Sequence, residues 1–235
     1  MSMWNNKLKA VTFSIDDGCA SDKRIVEIFN KYGIKGTFNI NSGLLNTELK
    51  IYNNEGEVVE VIPKIKAYEV KDTYAGHEVA VHTCTHPNLT RLEEKDIIHQ
   101  VEEDRKTLSS LVDYNVIGMA YPCGGTNNDE RVAKIIQQHT PIAYSRTITS
   151  TYSFDLQDNL LRFNPTVYWV EDCLLEVVNN FLTLKIDKPQ LLYIWGHAFE
   201  LDRGTHISYE KLEKLCALLA EHKDVFFGTN KEVLL

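Results

Sequence analysis

The feature that most constrains this chain is its rhythm. Short apolar runs, rich in β-branched and aromatic residues, alternate with amphipathic stretches at helical spacing for most of its 235 residues. The strand-like runs are Val11–Ile15, Thr37–Ile40, Glu78–Val81, Val116–Tyr121, Ile142–Thr147, Leu161–Phe163, Leu191–Trp195 and Val225–Phe227. Between the first two, Ile25, Val26, Ile28 and Phe29 form the apolar face of a helix that Ser21 can cap and Gly33 can end. Leu92–Leu111, Asn128–Gln138, Glu171–Leu184 and Tyr209–His222 carry the same spacing. Alternating β and α elements predict a mainly parallel sheet with helices outside it. The stretch 48–69 breaks the rhythm: Ile51–Ile62 reads as a β-hairpin turning near Asn54–Gly56, inserted between the second and third strands and suited to a substrate lid or a subunit contact. No stretch reads as a linker or repeat, so one domain over residues 1–235 is expected.

Composition excludes several classes of function. Hydrophobic residues make up 43% and charged residues 25%, a globular mix that rules out a disordered or fibrous chain. Against 33 Asp and Glu stand 25 Lys and Arg, a net charge of −8, which argues against nucleic acid or an anionic membrane as partner. No apolar run approaches the roughly 18 to 20 residues that span a bilayer. Met1–Lys7 has no signal-peptide core, so a cytoplasmic location is expected. Five cysteines at irregular spacing, with no C-x-x-C, argue against a disulfide framework or zinc knuckle; they read as reduced, mostly buried thiols.

Four short segments carry chemistry, each at a predicted strand end. Asp16-Asp17-Gly18 ends the first strand, where two carboxylates can divide cation binding and proton transfer, although Asp-Asp-Gly is also an ordinary turn. His82-Thr-Cys-Thr-His86 follows Glu78–Val81. No Glu follows His82 and Pro87 opposes a continuing helix, so a tight turn fits better than a zincin helix. Met119-Ala-Tyr-Pro-Cys-Gly-Gly125 prescribes an unusual backbone course that can aim a peptide N–H at a reacting oxygen. Leu191–His197 is a buried-strand run that delivers His197. In a β/α barrel, strand ends share one face, and catalytic groups gather there. Asp17, His82 and His86 then make a two-His, one-carboxylate set with open positions, suited to Zn²⁺ and also to Co²⁺, Ni²⁺ or Fe²⁺.

These residues resemble the polysaccharide deacetylases, carbohydrate esterase family 4, also called the NodB homology domain. Phe13-Ser-Ile-Asp-Asp-Gly18 looks like the family's T-F-D-D-G motif, and His82-Thr-Cys-Thr-His86 its H-[ST]-x-x-H motif. Ala120-Tyr-Pro-Cys-Gly124 resembles the A-Y-P-F-G variant of the third motif, and Leu192–His197 the late L-x-[IL]-x-x-H motif. The resemblance runs from about residue 11 to 198 in the family's order. It implies a distorted (β/α) barrel of seven or eight mostly parallel strands and metal-dependent hydrolysis of an N-acetyl group. By position, Asp17, His82 and His86 would bind the metal, with Zn²⁺ favoured. Asp16 would be the base, His197 the acid, and the Cys123 backbone N–H part of the oxyanion site. Tyr121, Trp195 and Trp169 are candidate substrate contacts.

The chain departs from the pattern in two places. Ala120 stands where many members carry the Arg that orients the base; Arg146 or Arg162 would supply that cation, Arg146 being favoured. The D-x-x-D-W motif is missing, so Trp169 or Trp195 would replace its Trp, and no replacement is evident for the carboxylate that orients the acid. The leading expectation is a deacetylase acting on an amino sugar, oligosaccharide or sugar conjugate. Hydrolysis of a non-carbohydrate amide, such as a cyclic imide or ureide, is an alternative, and an inactive glycan- or partner-binding domain is another. Oligomeric state is left open.

Overall fold

The computed structural model describes residues 3–235. Its elements in chain order begin with β1 (Lys9–Asp16), α1 (Asp22–Tyr32), β2 (Gly36–Ile40), β3 (Glu48–Tyr52) and β4 (Val58–Pro63). Next come α2 (Val70–Thr73), β5 (Glu78–Val81), α3 (Glu94–Val112), β6 (Gly118–Ala120), α4 (Glu130–His139), β7 (Tyr144–Arg146) and β8 (Val167–Tyr168). The chain ends with α5 (Leu174–Thr183), β9 (Gln190–His197), α6 (Ala198–Arg203), α7 (Tyr209–Ala220), β10 (Val225–Phe227) and α8 (Asn230–Leu234).

The main sheet runs β7-β6-β5-β2-β1-β9-β8, with β10 also on β1, and every pairing in it is parallel. The segment before β8 draws the two ends together. Phe163 bridges Arg146 of β7, and the Thr166 N–H donates to the Tyr193 carbonyl of β9. The result is the expected distorted (β/α) barrel, with helices outside.

Strand periodicity explains what lies on either side of the wall. Along β1, Val11, Phe13 and Ile15 join Ile25 and Phe29 of α1 in the outer core, all buried. The alternate residues Ala10, Thr12, Ser14 and Asp16 are also buried, so the strand is covered on both faces, as a parallel strand requires. The inner series becomes polar toward the strand's C-terminal end. In β9 Leu192 and Ile194 join the outer core, while Leu191 and Tyr193 form an inner cluster with Ala10 and Phe163. This alternation puts Asp16 and His197 on the inside, and register makes them direct partners across β1 and β9.

The C-terminal helix α8 seals the opposite end. Its Asn230 N–H donates to Thr37 Oγ1 at 2.8 Å, and its Lys231 N–H to Glu78 Oε2 at 2.9 Å. The Asn230 side chain donates to Ser14 Oγ at 3.2 Å, which ties this floor to the strand that carries Asp16.

Most expected elements are present, with ends shifted by a few residues. Gly33 ends α1 in a left-handed conformation (φ 66°) as its position suggests. Ser21 occupies the N-cap position of α1 but makes no side-chain cap bond. The expected strand Leu161–Phe163 is a correction: Leu160–Arg162 form a 3₁₀ turn, and only Phe163 pairs with β7. The strand of this region is β8, two residues long and too short to show a period. The hairpin lies where expected, as β3 and β4 in a separate antiparallel sheet.

Candidate active site

All four sequence segments converge at the C-terminal mouth of the barrel. Asp16, Asp17, His82, His86, Tyr121, Cys123, Tyr168, Trp195 and His197 all line one cavity of about 490 Å³.

On one side, Asp17, His82 and His86 form a three-donor cluster whose candidate ligand atoms lie within 4.8 Å of one another. Asp17 Oδ1 is 3.7 Å from His82 Nε2 and 3.4 Å from His86 Nε2. The His82–His86 segment is a turn, with Thr83 and His86 at positive φ (68° and 61°). Asn41 holds it by donating to the His82 and Thr83 carbonyls, and Asp104 of α3 accepts the His82 N–H at 3.0 Å. His82 Nδ1 lies 2.9 Å from the Ala120 carbonyl, which assigns the ring proton to Nδ1 and leaves the Nε2 lone pair facing the cluster. Burial pushes the His82 pKa down to about 4 despite nearby Asp16, so the ring is neutral at pH 7. Burial alone would raise Asp17, but Lys64 foremost, with His197 and His82, brings its pKa down to about 2. An ionised carboxylate and a neutral imidazole are the forms that ligate, so the donor set fits a divalent cation.

The surroundings of Asp16 are built from three strands. Asp16 is buried; Arg146 Nη2 donates to its Oδ2, and Asn39 Nδ2 donates to its Oδ1 at 2.8 Å. Ser14 Oγ accepts from Asn39 Nδ2 at 2.8 Å and from Arg146 Nε at 3.2 Å, so one hydroxyl orients both partners. Arg146 is itself completely buried, with its guanidinium carbon 4.5 Å from the Trp195 ring centre and Nη1 donating to the Thr147 carbonyl. Burial would raise the Asp16 pKa, but Arg146 first, with His82 and His197, holds it below the ordinary carboxylate value. Arg162, the other candidate cation, lies elsewhere and donates to Asn128 and Glu130.

The surroundings of His197 have a different construction. His197 ends β9, and its Nδ1 is 2.9 Å from Glu200 Oε1, one turn later in α6. Glu200 Oε2 accepts the His197 N–H at 2.9 Å and Trp169 Nε1–H at 2.6 Å, while Tyr168 OH donates to Oε1. Burial would lower the His197 pKa, but its bond to Glu200 and that residue's charge raise it above the ordinary imidazole value. Glu200 is the carboxylate for which the sequence shows no motif. Its signal was the spacing His197-x-x-Glu200, the i, i+3 relation of a helix N-terminus in which an acidic side chain reaches back to the N-cap N–H.

The other expected contacts divide. Trp195 lines the cavity and stacks on Tyr168, with ring centres 4.1 Å apart. Tyr121 also lines it, with its hydroxyl tied to the Leu161 carbonyl at 2.8 Å. Cys123 stands in the wall at φ 70°, its Sγ 3.8 Å from His86 Nδ1. Trp169, also expected as a substrate wall, does not line this cavity. It is buried behind Glu200, over Gly196, where an added Cβ would come within 2.0 Å of the indole.

A curled parallel barrel with three metal-type donors, a buried carboxylate and a paired imidazole at one mouth defines the architectural class. The sequence profile of the polysaccharide deacetylase family matches residues 5–140, more than half of the chain, and the chain belongs to that family. Peptidoglycan-N-acetylmuramic acid deacetylase PdaC of Bacillus subtilis is 26% identical over 127 residues, 54% of this chain and 24% of that protein. The chain thus matches about a quarter of that relative's length. Among solved structures, a carbohydrate esterase family 4 pseudoenzyme of Bacillus anthracis superposes with a TM-score of 0.59 at 21% identity, covering 98% of this chain and 66% of that one. A mutant of it with restored enzymatic activity gives 0.60 at 21% identity, covering 98% and 68%. The PdaC structure gives 0.57 at 16% identity, covering 97% and 90%.

Proposed function

We propose that this chain is a metal-dependent deacetylase that hydrolyses the N-acetyl amide of an amino sugar, presented as a sugar, oligosaccharide or sugar conjugate. The observation that carries this reading is one juxtaposition. Asp16 and His197 are register partners with opposite charge biases, held by Arg146 and Glu200 respectively, beside the Asp17–His82–His86 cluster. A binding surface has no need of an ionised base and a protonated acid at one cavity.

Asp17, His82 and His86 would hold the cation, with Zn²⁺ favoured by two imidazoles and a carboxylate. Such an ion, when bound, lowers the pKa of water and polarises an amide carbonyl. Asp16, kept ionised by Arg146, accepts the proton that water loses as it attacks. The Cys123 N–H donates to the developing oxyanion, a type of contact worth about 3 kcal/mol of barrier. His197, kept protonated by Glu200, donates to the leaving amine, which departs as a neutral group. Trp195 and Tyr121 form walls for the substrate.

The test is acetate release by metal-replete protein from a panel of N-acetylated sugars, with Asp16→Asn as the blank. The expected result is release by the wild type that falls by about 10²- to 10⁴-fold in the variant while metal binding persists. Tight Zn²⁺ binding without acetate release from any sugar would replace this reading with hydrolysis of a non-carbohydrate amide. Neither metal binding nor release would return the chain to a binding role.

A further inference from the structure

The inserted hairpin does more than cover a surface. Directly after β4, Lys64 turns inward, and its side chain is only 4% exposed. Its Nζ donates to the Asp17 carbonyl at 3.0 Å and lies 3.9 Å from Asp17 Oδ2. The other oxygen, Oδ1, is the one 3.4 and 3.7 Å from the two imidazole Nε2 atoms. The carboxylate is thus divided between an ammonium on one side and the ring nitrogens on the other.

Asp17 needs such support, because it has φ 82°, a left-handed conformation costly for a residue with a Cβ. The backbone around it is tied to the same segment. Cys19 and Lys64 form an antiparallel bridge, the Ala20 N–H donates to the Pro63 carbonyl at 2.8 Å, and the Ile65 N–H donates to the Gly18 carbonyl at 2.9 Å. At the far edge Glu60 of β4 accepts two Arg203 donors of α6, at 3.0 and 2.7 Å. The hairpin is therefore anchored on the Asp17 side and on the helix that carries Glu200.

We infer that Lys64 is a positioning residue for the metal centre: it holds Asp17 in its left-handed conformation through the Asp17 carbonyl and faces the carboxylate oxygen Oδ2 across 3.9 Å, so that Oδ1 is presented to the cation. This inference rests on the proposed metal site. It assigns the insertion a part in assembling that site.

The test is a chelator-competition titration of Co²⁺ and Zn²⁺ into metal-free wild type, Lys64→Met and Lys64→Arg, with the visible spectrum of the Co²⁺ forms. Loss of an outer-shell partner weakens metal binding by about 10- to 100-fold, and that loss is expected for Lys64→Met, with an altered Co²⁺ spectrum. Lys64→Arg, which keeps charge and donor, is expected to recover most of the affinity. The sign separates the mechanisms, since removing a nearby positive charge would by itself favour a cation. Unchanged or tighter binding by a folded Lys64→Met protein would overturn the inference. Should that variant not fold, Lys64→Gln, which keeps a donor but no charge, carries the same expectation and the same refutation. Absence of metal binding by the wild type would instead overturn the site itself.

Discussion

Asp16 and His197, the proposed base and acid, face each other across two neighbouring strands, yet they are supported in opposite ways. Asp16 takes its counter-ion from Arg146, which is 130 residues away and reaches it only because the sheet curls until β7 faces β1. His197 takes its counter-ion from Glu200, three residues on, through a single helical turn. One ion pair depends on the tertiary fold and the other is nearly local. Asp16 should therefore report on barrel integrity, and His197 on the conformation of α6.

The most severe way to break this comparison is Arg146→Leu. It leaves a buried carboxylate with no cation, and breaking a buried pair from one side typically costs about 3–5 kcal/mol. The sign of the pH dependence should reverse as well. In the wild type the Asp16 pKa is depressed, so its stabilising contribution is present above the unfolded carboxylate value and is lost as pH falls through the folded one. In the variant burial dominates, the pKa rises above its unfolded value, and stability declines as pH rises through that range. Thermal unfolding followed from about pH 2 to about 8 would show the reversal. Asp16→Asn combined with Arg146→Leu should recover part of the lost stability but none of the activity. A single variant as stable as the wild type at every pH would contradict the assigned pairing.

Glu200→Gln addresses the acid alone. It removes the charge that raises the His197 pKa, so the alkaline limb of kcat/KM should move to lower pH. Activity should fall more at pH 8 than at pH 6, by less than the 10²- to 10⁴-fold range for loss of a general acid. Stability linked to His197 is fully present below the unfolded imidazole value and is lost as pH rises through the raised folded value. The stability gap between wild type and variant should therefore be widest at acid pH and close toward alkaline pH. An alkaline limb that does not move would mean that His197 is not the proton donor, or that Glu200 does not govern it.

The difference between the two supports also explains what the sequence could disclose. The β/α rhythm identified most of the strands and put Asp16 at the end of the first. Asp17, His82 and His86 come from two contiguous motifs, so their convergence was legible once strand ends were expected to share a face. Arg146 was one of two candidates, and only the curvature that brings β7 against β1 separates it from Arg162. Glu200 passed unnoticed although it is near in sequence, because a carboxylate in the first turn of a short helix is ordinary for capping. Lys64 was hidden for the opposite reason. It lies in a hairpin outside the main sheet, and no periodicity relates that hairpin to Asp17. The strand mistaken at Leu161–Phe163 shows the limit of composition: the apolar residues are right, but they form a 3₁₀ turn and β8 has only two residues.

The smallest expected effect makes the finest distinction. Trp169 and Trp195 are equally plausible substrate walls by sequence, but only Trp195 lines the cavity, whereas the Trp169 indole donates to Glu200 from behind. Trp169→Phe removes a hydrogen bond to a charged acceptor, worth roughly 1.5–3 kcal/mol. Glu200 keeps its bonds from the His197 N–H and Tyr168, so the dyad persists. The variant should lose stability with a change of less than about tenfold in kcat and no change in KM, because it touches nothing that binds substrate. Trp195→Phe should raise KM, since it alters the cavity wall itself. Steady-state kinetics of the two variants on one substrate decides the matter. A raised KM for Trp169→Phe would place that indole against the substrate and require the loop between β8 and α5 to rearrange when the cavity fills.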